Sequence, residues 1–449
     1  MVRGGYVDRA RSDPDVGPLT DDWPGGTSGS TSSRPSPSCG STPSCWFTTG
    51  QSTPESPSGS TSPQVGPSRA KLGRMRRSRL FAIIAPAVAL VISACSSGHT
   101  PSGTVFSPTA EPTSSASPAA TLATSTAPPR PARASVTLTV VGDMILGITP
   151  ALPPDPASYF EAVEPVLRHG AQIIFGNLEG TLTTSTGSKC GTGPSADCFA
   201  FRNPPSYARY FKRAGFTVLN DANNHSDDFG AAGEAQTVRS IHAAGMAQTG
   251  LPGEITRVTA SGIPVAFVAF APYRYTASLL NLPAARALIR QAAREARIVV
   301  VYMHAGAEGS DADHVTGREE IYLGEDRGNP EAFAHMAIDA GASLVIASGP
   351  HVLRGMQFYK GHLIAYSLGN FAGYHNFSIH GDLTMSAVLR VRLSSSGRFE
   401  QGRLYPVQLT GAGRPVPGGG AISFVAGLSS ADFGASAAHI QPSGVIKRS

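Results

Sequence analysis

Residues 136–449 are predicted to form an α/β domain, because short apolar runs rich in Val and Ile alternate with segments of helical character. Some runs, such as residues 298–301, are apolar at every position, which indicates strands covered on both faces. Polar residues of metal-binding types also follow one predicted strand after another. These three observations define the fold class and the place to look for a site.

The predicted elements follow one another in a regular order. Strands are expected at 136–141, 172–175, 217–219, 263–270, 298–303 and 344–346. Helices are expected at 158–169, 206–214, 233–244, 284–295 and 330–340. Strands therefore alternate with helices of about a dozen residues, which is the pattern of an α/β domain.

The composition argues against two broad classes of protein. Of 449 residues only 15% are charged, and the formal net charge is +5. Part of this excess lies in one cluster, Arg74, Arg76, Arg77 and Arg79, and no basic stripe runs through the rest, so no nucleic-acid partner is expected. No apolar run reaches the roughly 18 to 20 residues of a spanning helix, which excludes a polytopic membrane protein.

Residues 75–95, MRRSRLFAIIAPAVALVISAC, have the three parts of a secretory signal peptide. Their ending resembles a bacterial lipobox, so residues 75–94 are predicted to be a lipoprotein signal peptide and Cys95 the acylated first residue of the mature protein. A short buried helix is the alternative, but no core-forming sequence flanks it. The expected location is the outer face of the cell membrane, after export.

Low-complexity sequence lies on both sides of this signal. Residues 1–74 are rich in Ser, Gly and Pro, and translation is expected to start at Met75, because a signal peptide begins the translated product. Residues 1–74 would then be a disordered extension with a wrongly assigned start. The alternative is a disordered cytoplasmic tail ahead of a signal anchor. Residues 95–135, rich in Ser, Thr, Ala and Pro, are expected to be a tether with a reach of roughly 35 Å.

Polar side chains gather at the predicted strand ends. They are Asp143, Asn177, Glu179, Asn223, Asn224, His225, His304, His351 and the segment 367–370. Each alone is compatible with a turn or a helix cap. In α/β sheets, however, the carboxyl ends of the strands form the ligand crevice, so these groups are expected to converge. Carboxylates, an amide and imidazoles together are suited to Mn²⁺, Zn²⁺ or Fe.

Six motifs occur in order across residues 141–371: VGDMILG, GNLEGTL, ANNHSDDFG, HAGAE, GPHV and YSLGNF. Together they resemble the poly-gamma-glutamate capsule synthesis protein CapA family over about residues 136–410. The resemblance implies the fold of calcineurin-like metallophosphatases, a two-sheet β-sandwich flanked by helices, in a CapA-like domain over 136–449. It also implies a part in the synthesis of poly-gamma-glutamate or another capsule or envelope polymer.

The resemblance further implies roles for individual residues. The metal-facing set would be Asp143, Glu179, Asn224, His304 and His351, with Glu179 suited to bridge two ions. His225 would face the substrate as an acid or charge stabiliser, with Asp228 as the second catalytic candidate or as a group that orients ligands. Residues expected to orient the ligands are Asn177, Asn223, Glu308 and Asn370.

Three positions depart from the family's pattern. Asp143 is followed by Met144 and Ile145, without the His that opens the metal site in true metallophosphatases. Gly349 replaces a His before the last ligand, and Ala305 replaces an aromatic residue. The first two departures reduce the ligand set, so both one ion and two ions of Mn, Zn or Fe are kept as expectations.

Cys190 and Cys198 flank the segment GTGPSAD. They are expected to form a disulfide, because an exported protein matures in an oxidising compartment and Gly-Thr-Gly-Pro can turn the chain back.

Two functions stay open at this point. The first is a metal-dependent hydrolase of the metallophosphatase type, acting on a phosphorylated envelope substrate or a polymer. The second is a non-catalytic envelope module that binds an anionic polymer such as poly-gamma-glutamate. In that case Arg202 and Arg354 would complement the carboxylates. A purely structural module gives no reason for acids and imidazoles to gather at strand ends.

Overall fold

The computed structural model describes residues 134–191 and 198–448. The expected start at Met75, the signal peptide, Cys95 and nearly all of the tether lie outside the described residues. The first strand begins at Ser135, where the low-complexity sequence ends. Within the two described ranges, no helix is both long enough and apolar enough to cross a bilayer.

The described residues contain twenty strands and six α-helices. The strands are β1 Ser135–Ile145, β2 Ile173–Leu178, β3 Thr181–Leu182, β4 Arg202–Asn203, β5 Val218–Asn220, β6 Ala247–Thr249, β7 Thr256–Ala260, β8 Ile263–Phe270, β9 Ile298–His304, β10 Ile321–Tyr322, β11 Glu325–Asp326, β12 Leu344–Ser348, β13 Met356–Tyr359, β14 His362–Ala365, β15 Asn370–Gly373, β16 Met385–Ser394, β17 Phe399–Thr410, β18 Arg414–Pro417, β19 Ala438–Ile440 and β20 Val445–Arg448. The helices are α1 Glu164–Arg168, α2 Ala208–Ala214, α3 Gly230–Ala243, α4 Leu282–Glu295, α5 Pro330–Ala340 and α6 Ala421–Phe433.

Most strands belong to two large mixed sheets. The first has the order β19-β20-β17-β16-β1-β2-β5-β6, with β15 paired to β1 and β18 to β17. The second has the order β13-β14-β12-β9-β8-β7. Strands β1, β2, β5 and β6 run parallel in the first sheet, as do β8, β9 and β12 in the second. Each sheet therefore has a set of carboxyl ends at one edge.

The two sheets pack face to face around an apolar cluster. Leu138 and Phe175 of the first sheet and Phe267 and Tyr302 of the second belong to it, and Phe175 stacks on Phe267 with ring centroids 5.4 Å apart. A second cluster lies between the second sheet and helices α4 and α5, and a third between the first sheet and helices α1, α2 and α3. The prediction of a two-sheet β-sandwich flanked by helices is therefore confirmed.

Strand β8 shows why its sequence is apolar throughout. Val265 and Phe267 point into the cluster between the sheets, whereas Val268 and Phe270 point into the cluster under the helices. Successive side chains of a strand alternate between faces, and both faces of this strand are covered.

Helix α1 is much shorter than predicted. It spans Glu164–Arg168 instead of 158–169, and a 3₁₀ turn at Pro156–Ser158 and further turns precede it. Pro165 has no backbone N–H and is tolerated only in the first turn of a helix, so the helix begins immediately before it. Strands β13–β20 and helix α6 lie beyond the last predicted element.

Candidate metal centre

Strand ends from both sheets meet at one place. Asp143 lies near the end of β1 and Glu179 directly follows β2. His304 is the last residue of β9, and His351 comes three residues after β12. Because the strands within each pair are parallel, their carboxyl ends bring these side chains to the same edge, as predicted for an α/β crevice.

Glu179 lies at the centre of the group. One ligand-type atom each from Asp143, Glu179 and His351 lies within 4.8 Å of the others. His351 Nδ1 is 3.4 Å from Asp143 Oδ2, and its Nε2 is 3.6 Å from Glu179 Oε1. His304 Nε2 lies 3.7 Å from the same Glu179 oxygen. The structure thus brings four of the five predicted metal-facing residues together.

Several ligand-type atoms of this set are buried and have no hydrogen-bond partner. They are Asp143 Oδ2, both carboxylate oxygens of Glu179, Asn224 Oδ1 and His304 Nε2. Leaving such an atom unsatisfied costs roughly 1 to 3 kcal/mol. A divalent cation with oxygen and nitrogen ligands would satisfy Asp143, Glu179 and His304, and Asn224 adds a further oxygen of the right type. The residues therefore fit a metal ion.

The backbone of His351 is strained. Its φ of 60° lies in the left-handed region, which residues other than glycine rarely adopt. Its Nδ1 is 2.8 Å from Asn370 Oδ1, and Asn370 pairs directly with Asp143 across β15 and β1. Asn370 thus contacts the imidazole that faces the acidic residues, and its predicted orienting role stays a prediction.

A chain of amides holds the Asp143 carboxylate. Asn177 Nδ2 donates to Asp143 Oδ1 at 2.8 Å, and Asn177 Oδ1 accepts from Asn220 and Asn223 at 2.6 and 3.0 Å. Asn223 Oδ1 in turn accepts from the backbone N–H of His225. Sequence analysis missed Asn220, although its position at the end of β5 was a usable signal.

Burial governs the protonation of these groups. Burial, helped by the charge of Asp143, raises the pKa of Glu179 well above its usual value, and burial lowers the pKa of His304 to about 3. Burial also opposes ionisation of Asp143, but the nearby imidazole of His351 holds the pKa of Asp143 below its usual value. A bound cation would favour ionised carboxylates and neutral imidazoles.

His225 lies beside the ligand set and is contacted by Asp228 and Phe201. Its Nδ1 is 2.9 Å from Asp228 Oδ2, and its ring stacks on Phe201 with centroids 4.2 Å apart. Burial lowers the pKa of His225, although Asp228 acts in the opposite direction. Asp228 is itself fully buried and also contacts Lys189. Asp228 therefore pairs with His225 and does not line the cavity described below.

A cavity of about 220 Å³ gives access to the centre. Its polar lining includes His225, His351, Glu308 and Asn370, and its aromatic lining includes Phe199, Phe201, Tyr322 and Phe377. Phe199 is 61% exposed at this cavity, which is unusual for so large an apolar side chain. A ligand in the cavity would meet both imidazoles and an apolar wall.

Glu308 links the cavity to a buried arginine. Its Oε1 is 2.9 Å from Arg327 Nη2, and its Oε2 is 3.8 Å from His351 Nε2. The Arg327 guanidinium lies over the rings of Tyr273 and Tyr322. Glu308 thus lies between His351 and Arg327, and its predicted orienting role stays a prediction. Arg327 was not a candidate, because nothing in its local sequence indicates that the fold returns it to this site.

The two arginines expected to complement an anionic polymer have other partners. Arg354 is fully buried and makes two hydrogen bonds to the Glu320 carboxylate, at 3.0 and 2.7 Å. The expectation for Arg354 is therefore wrong, since a buried, paired guanidinium cannot meet a polymer. Arg202 donates to the Ser185 carbonyl, lies over the Phe229 ring and does not line the cavity.

Gly349 and Ala305, two of the residues that depart from the family's pattern, lie against each other. Gly349 has a φ of 119°, and a Cβ atom there would lie 3.1 and 3.2 Å from the backbone N and O of Ala305. Both the left-handed backbone and the close approach favour glycine. The His expected at position 349 could not be restored without a shift of the segment that carries Ala305.

Cys190 and Cys198 are joined by a disulfide, with Cα atoms 5.7 Å apart. Lys189 precedes the first cysteine, and Phe199 and Phe201 follow the second. The flanks of the bridge therefore carry residues that contact Asp228 or line the cavity. Lys189 was also missed in the sequence analysis.

Fold and site together define a two-sheet α/β protein with a candidate metal centre where the carboxyl ends of both sheets meet. Residues 137–374 match the family of the bacterial capsule synthesis protein PGA_cap, and the chain belongs to this family. The matched range contains all five predicted metal-facing residues and ends just after β15.

Similar proteins are found among curated sequences and solved structures. The chain is 28% identical over 284 residues to the PGA biosynthesis protein CapA of Bacillus subtilis (strain 168), covering 58% of this chain and 69% of that one. It is 31% identical over 208 residues to the capsule biosynthesis protein CapA of Bacillus anthracis, covering 41% of this chain and 46%, less than half, of that one. A structure of a putative 5′-nucleotidase from Staphylococcus aureus in complex with alpha-ketoglutarate has a TM-score of 0.37 and 13% identity, covering 63% of this chain and 54% of that one.

Proposed function

We propose that this protein is a metal-dependent hydrolase that acts in the synthesis of poly-gamma-glutamate or a related capsule polymer. Membership of the PGA_cap family and two relatives named CapA support the capsule role. One observation carries the hydrolase part: ligand-type atoms without partners lie buried next to a His–Asp pair at the wall of a cavity. The substrate class is a phosphoester of the envelope or a gamma-glutamyl bond.

The residues that would hold the ion are Asp143, Glu179, His304 and His351, with the amide oxygen of Asn224 as a further ligand. Mn, Zn and Fe all suit this mixture of oxygen and nitrogen donors, as one ion or two. When bound, such an ion supplies positive charge that polarises a phosphoryl or acyl oxygen.

His225 would handle the proton in this reaction. Because its Nδ1 is engaged by Asp228, its Nε2 is the ring nitrogen left for a substrate in the cavity. Burial lowers its pKa, so the neutral ring prevails at neutral pH and can accept at Nε2 a proton from the water whose oxygen attacks the scissile bond. The same atom can return that proton to the leaving group.

We also propose export and anchoring at the outer face of the membrane through acylated Cys95. The support is the signal-like sequence of residues 75–94 and the tether that follows it. A tether of this length would let the domain reach polymer or phosphorylated substrates near the membrane surface.

The second candidate function is a non-catalytic module that binds an anionic polymer. One observation favours it: Ile145 and Gly349 stand where the family's pattern has His ligands, and a side chain at Gly349 would require a shift of the Ala305 backbone. In this version the ion would hold a carboxylate of the polymer without bond cleavage.

The two candidates differ in the effect of replacing His225. The full chain and its His225→Ala variant would be analysed for bound Mn, Zn and Fe and assayed with bis(p-nitrophenyl) phosphate and gamma-glutamyl p-nitroanilide. Because His225 is proposed to face the substrate and not the metal, its replacement should leave the metal content intact. Turnover should fall by a factor of roughly 10² to 10⁴. Exposed His439 provides the control variant, His439→Ala, which should match the wild type.

Other outcomes separate the alternatives. No turnover by wild type, together with metal-dependent binding of poly-gamma-glutamate, would support the binding module and reject the hydrolase. A wild-type protein that takes up no metal after expression with Mn and Zn would reject both.

A further inference from the structure

Lys189 contacts the His225–Asp228 pair from one side. Its Nζ is 2.6 Å from Asp228 Oδ1 and donates to the backbone carbonyl of Asn224 at 2.9 Å. Its own backbone N–H donates to the Asp228 carbonyl at 2.8 Å. Lys189 thus pairs with the fully buried carboxylate of Asp228. It also forms a hydrogen bond to the turn that carries Asn224 and His225.

Phe201 contacts the same pair from the other side. Its backbone N–H donates to Asp228 Oδ2 at 2.5 Å, and its ring stacks on the imidazole of His225. Both oxygens of Asp228 are therefore engaged, one by Lys189 and one shared between Phe201 and His225. These contacts restrict rotation of the His225 imidazole ring.

The disulfide joins these two flanks. Cys190 directly follows Lys189, and Cys198 stands three positions before Phe201. With their Cα atoms 5.7 Å apart, the bridge keeps both flanks of the loop next to Asp228. Lys189 and Phe201, which flank the bridge, thus make two direct contacts to one buried carboxylate.

We infer that Lys189 and the Cys190–Cys198 disulfide are positioning elements for the His225–Asp228 pair. This inference rests on the proposed function for the role of His225, but its structural content can be measured without any substrate. The two elements act through Asp228, which they hold in the geometry that points Nε2 of His225 into the cavity. Displacing a reacting group by about 1 Å can cost roughly 100-fold in rate.

The test compares Lys189→Met, Lys189→Arg and wild type as full chains. Lys189→Met should lower kcat by about 10- to 100-fold, with KM and metal content within about twofold of wild type. Lys189→Arg, which keeps the positive charge, should restore most of the rate. The matched control is Lys360→Met, because Lys360 also pairs with an aspartate at 2.6 Å, Asp339, but on an exposed surface.

Removing the bridge tests the second element. The Cys190→Ser/Cys198→Ser double variant should show faster hydrogen exchange at the backbone amides of Lys189 and Phe201, together with a loss of kcat similar to that of Lys189→Met. In NMR spectra, the imidazole N–H of His225 that faces Asp228 should exchange faster in both variants than in wild type.

The outcomes separate this inference from the proposed function. If wild type shows no turnover, the proposed function fails, while the exchange rates at His225 and Phe201 still decide the positioning role. Unchanged exchange and unchanged kcat in Lys189→Met would overturn the inference. An equal loss of kcat in Lys360→Met would overturn it as well, as would failure of Lys189→Arg to restore the rate in a folded protein.

Discussion

Nε2 of His304 lies 3.7 Å from Oε1 of Glu179, and both side chains are completely buried. The two residues come from different sheets, His304 from the end of β9 and Glu179 from the end of β2. An ion held between them would join the two halves of the sandwich. Metal binding should therefore stabilise the native state as a whole, because the ligands are assembled only in the folded chain.

Replacement of Glu179 by Gln is expected to abolish this stabilisation. Mn²⁺ or Zn²⁺ at about 100 times its Kd should add roughly 2.7 kcal/mol to wild type and much less to Glu179→Gln. Without metal the variant should be at least as stable as wild type, because burial raises the pKa of Glu179 and disfavours its charge. Melting temperatures with metal and with EDTA measure both effects.

The control for this variant is Glu161→Gln, whose side chain is exposed. It should respond to metal as wild type does. A Glu179→Gln protein with wild-type metal content and an undiminished rise in Tm would show that Glu179 does not hold the ion.

His304 should make the metal-free protein sensitive to acid. Burial lowers its pKa to about 3, whereas an unfolded histidine titrates near 6.5. A depressed pKa means that the stability contributed by neutral His304 is fully present above pH 6.5 and is lost as the pH falls toward 3. His304→Gln cannot titrate, so between pH 6.5 and 5 it should lose about 1.6 kcal/mol less than wild type.

Urea unfolding in EDTA at these two pH values measures the difference. Some dependence on pH should persist in the variant, because burial also lowers the pKa of His225. Parallel losses in wild type and His304→Gln would mean that His304 is not buried as a neutral ring.

Arg354 should prove to be a stability residue and not a polymer contact. Arg354→Met leaves the Glu320 carboxylate without its partner and should lower the free energy of unfolding by about 3 to 5 kcal/mol. Arg354→Met/Glu320→Gln should lose less, since no unpaired charge remains. Urea unfolding compares these variants with Arg213→Met, a change at an exposed arginine. Full stability with a loss of poly-gamma-glutamate binding would contradict this assignment.

Cys95→Ser should abolish processing and anchoring. Wild type is expected to lose residues 75–94, to carry lipid on Cys95 and to fractionate with membranes, with two or more acyl chains because one chain anchors only marginally. The variant should remain uncleaved or be released. Cell fractionation and intact mass measure this. A Cys95→Ser protein that is processed and still membrane-bound would refute the lipobox prediction.

Local sequence was sufficient for several elements and for the gathering of polar side chains at the strand ends. Strand β8 and helix α5 have the bounds that their apolar patterns predict, because alternation along a strand and periodicity along a helix are local properties. Asp143, Glu179 and His351 could be proposed as neighbours because parallel strands bring their carboxyl ends to one edge. Helix α1 is shorter than its predicted range, because Pro165 is tolerated only in the first turn and so fixes the start of the helix.

Tertiary structure decided which polar residues serve the site and which serve the fold. Arg354 looks like a surface cation in sequence, yet it is buried against Glu320, which lies on a distant segment of the chain. Lys189 and Asn220 carry no motif, yet the fold places them against Asp228 and Asn177. The physical reason is that burial and partner choice depend on contacts between segments far apart in the chain, whereas apolar periodicity reports only the environment along one segment.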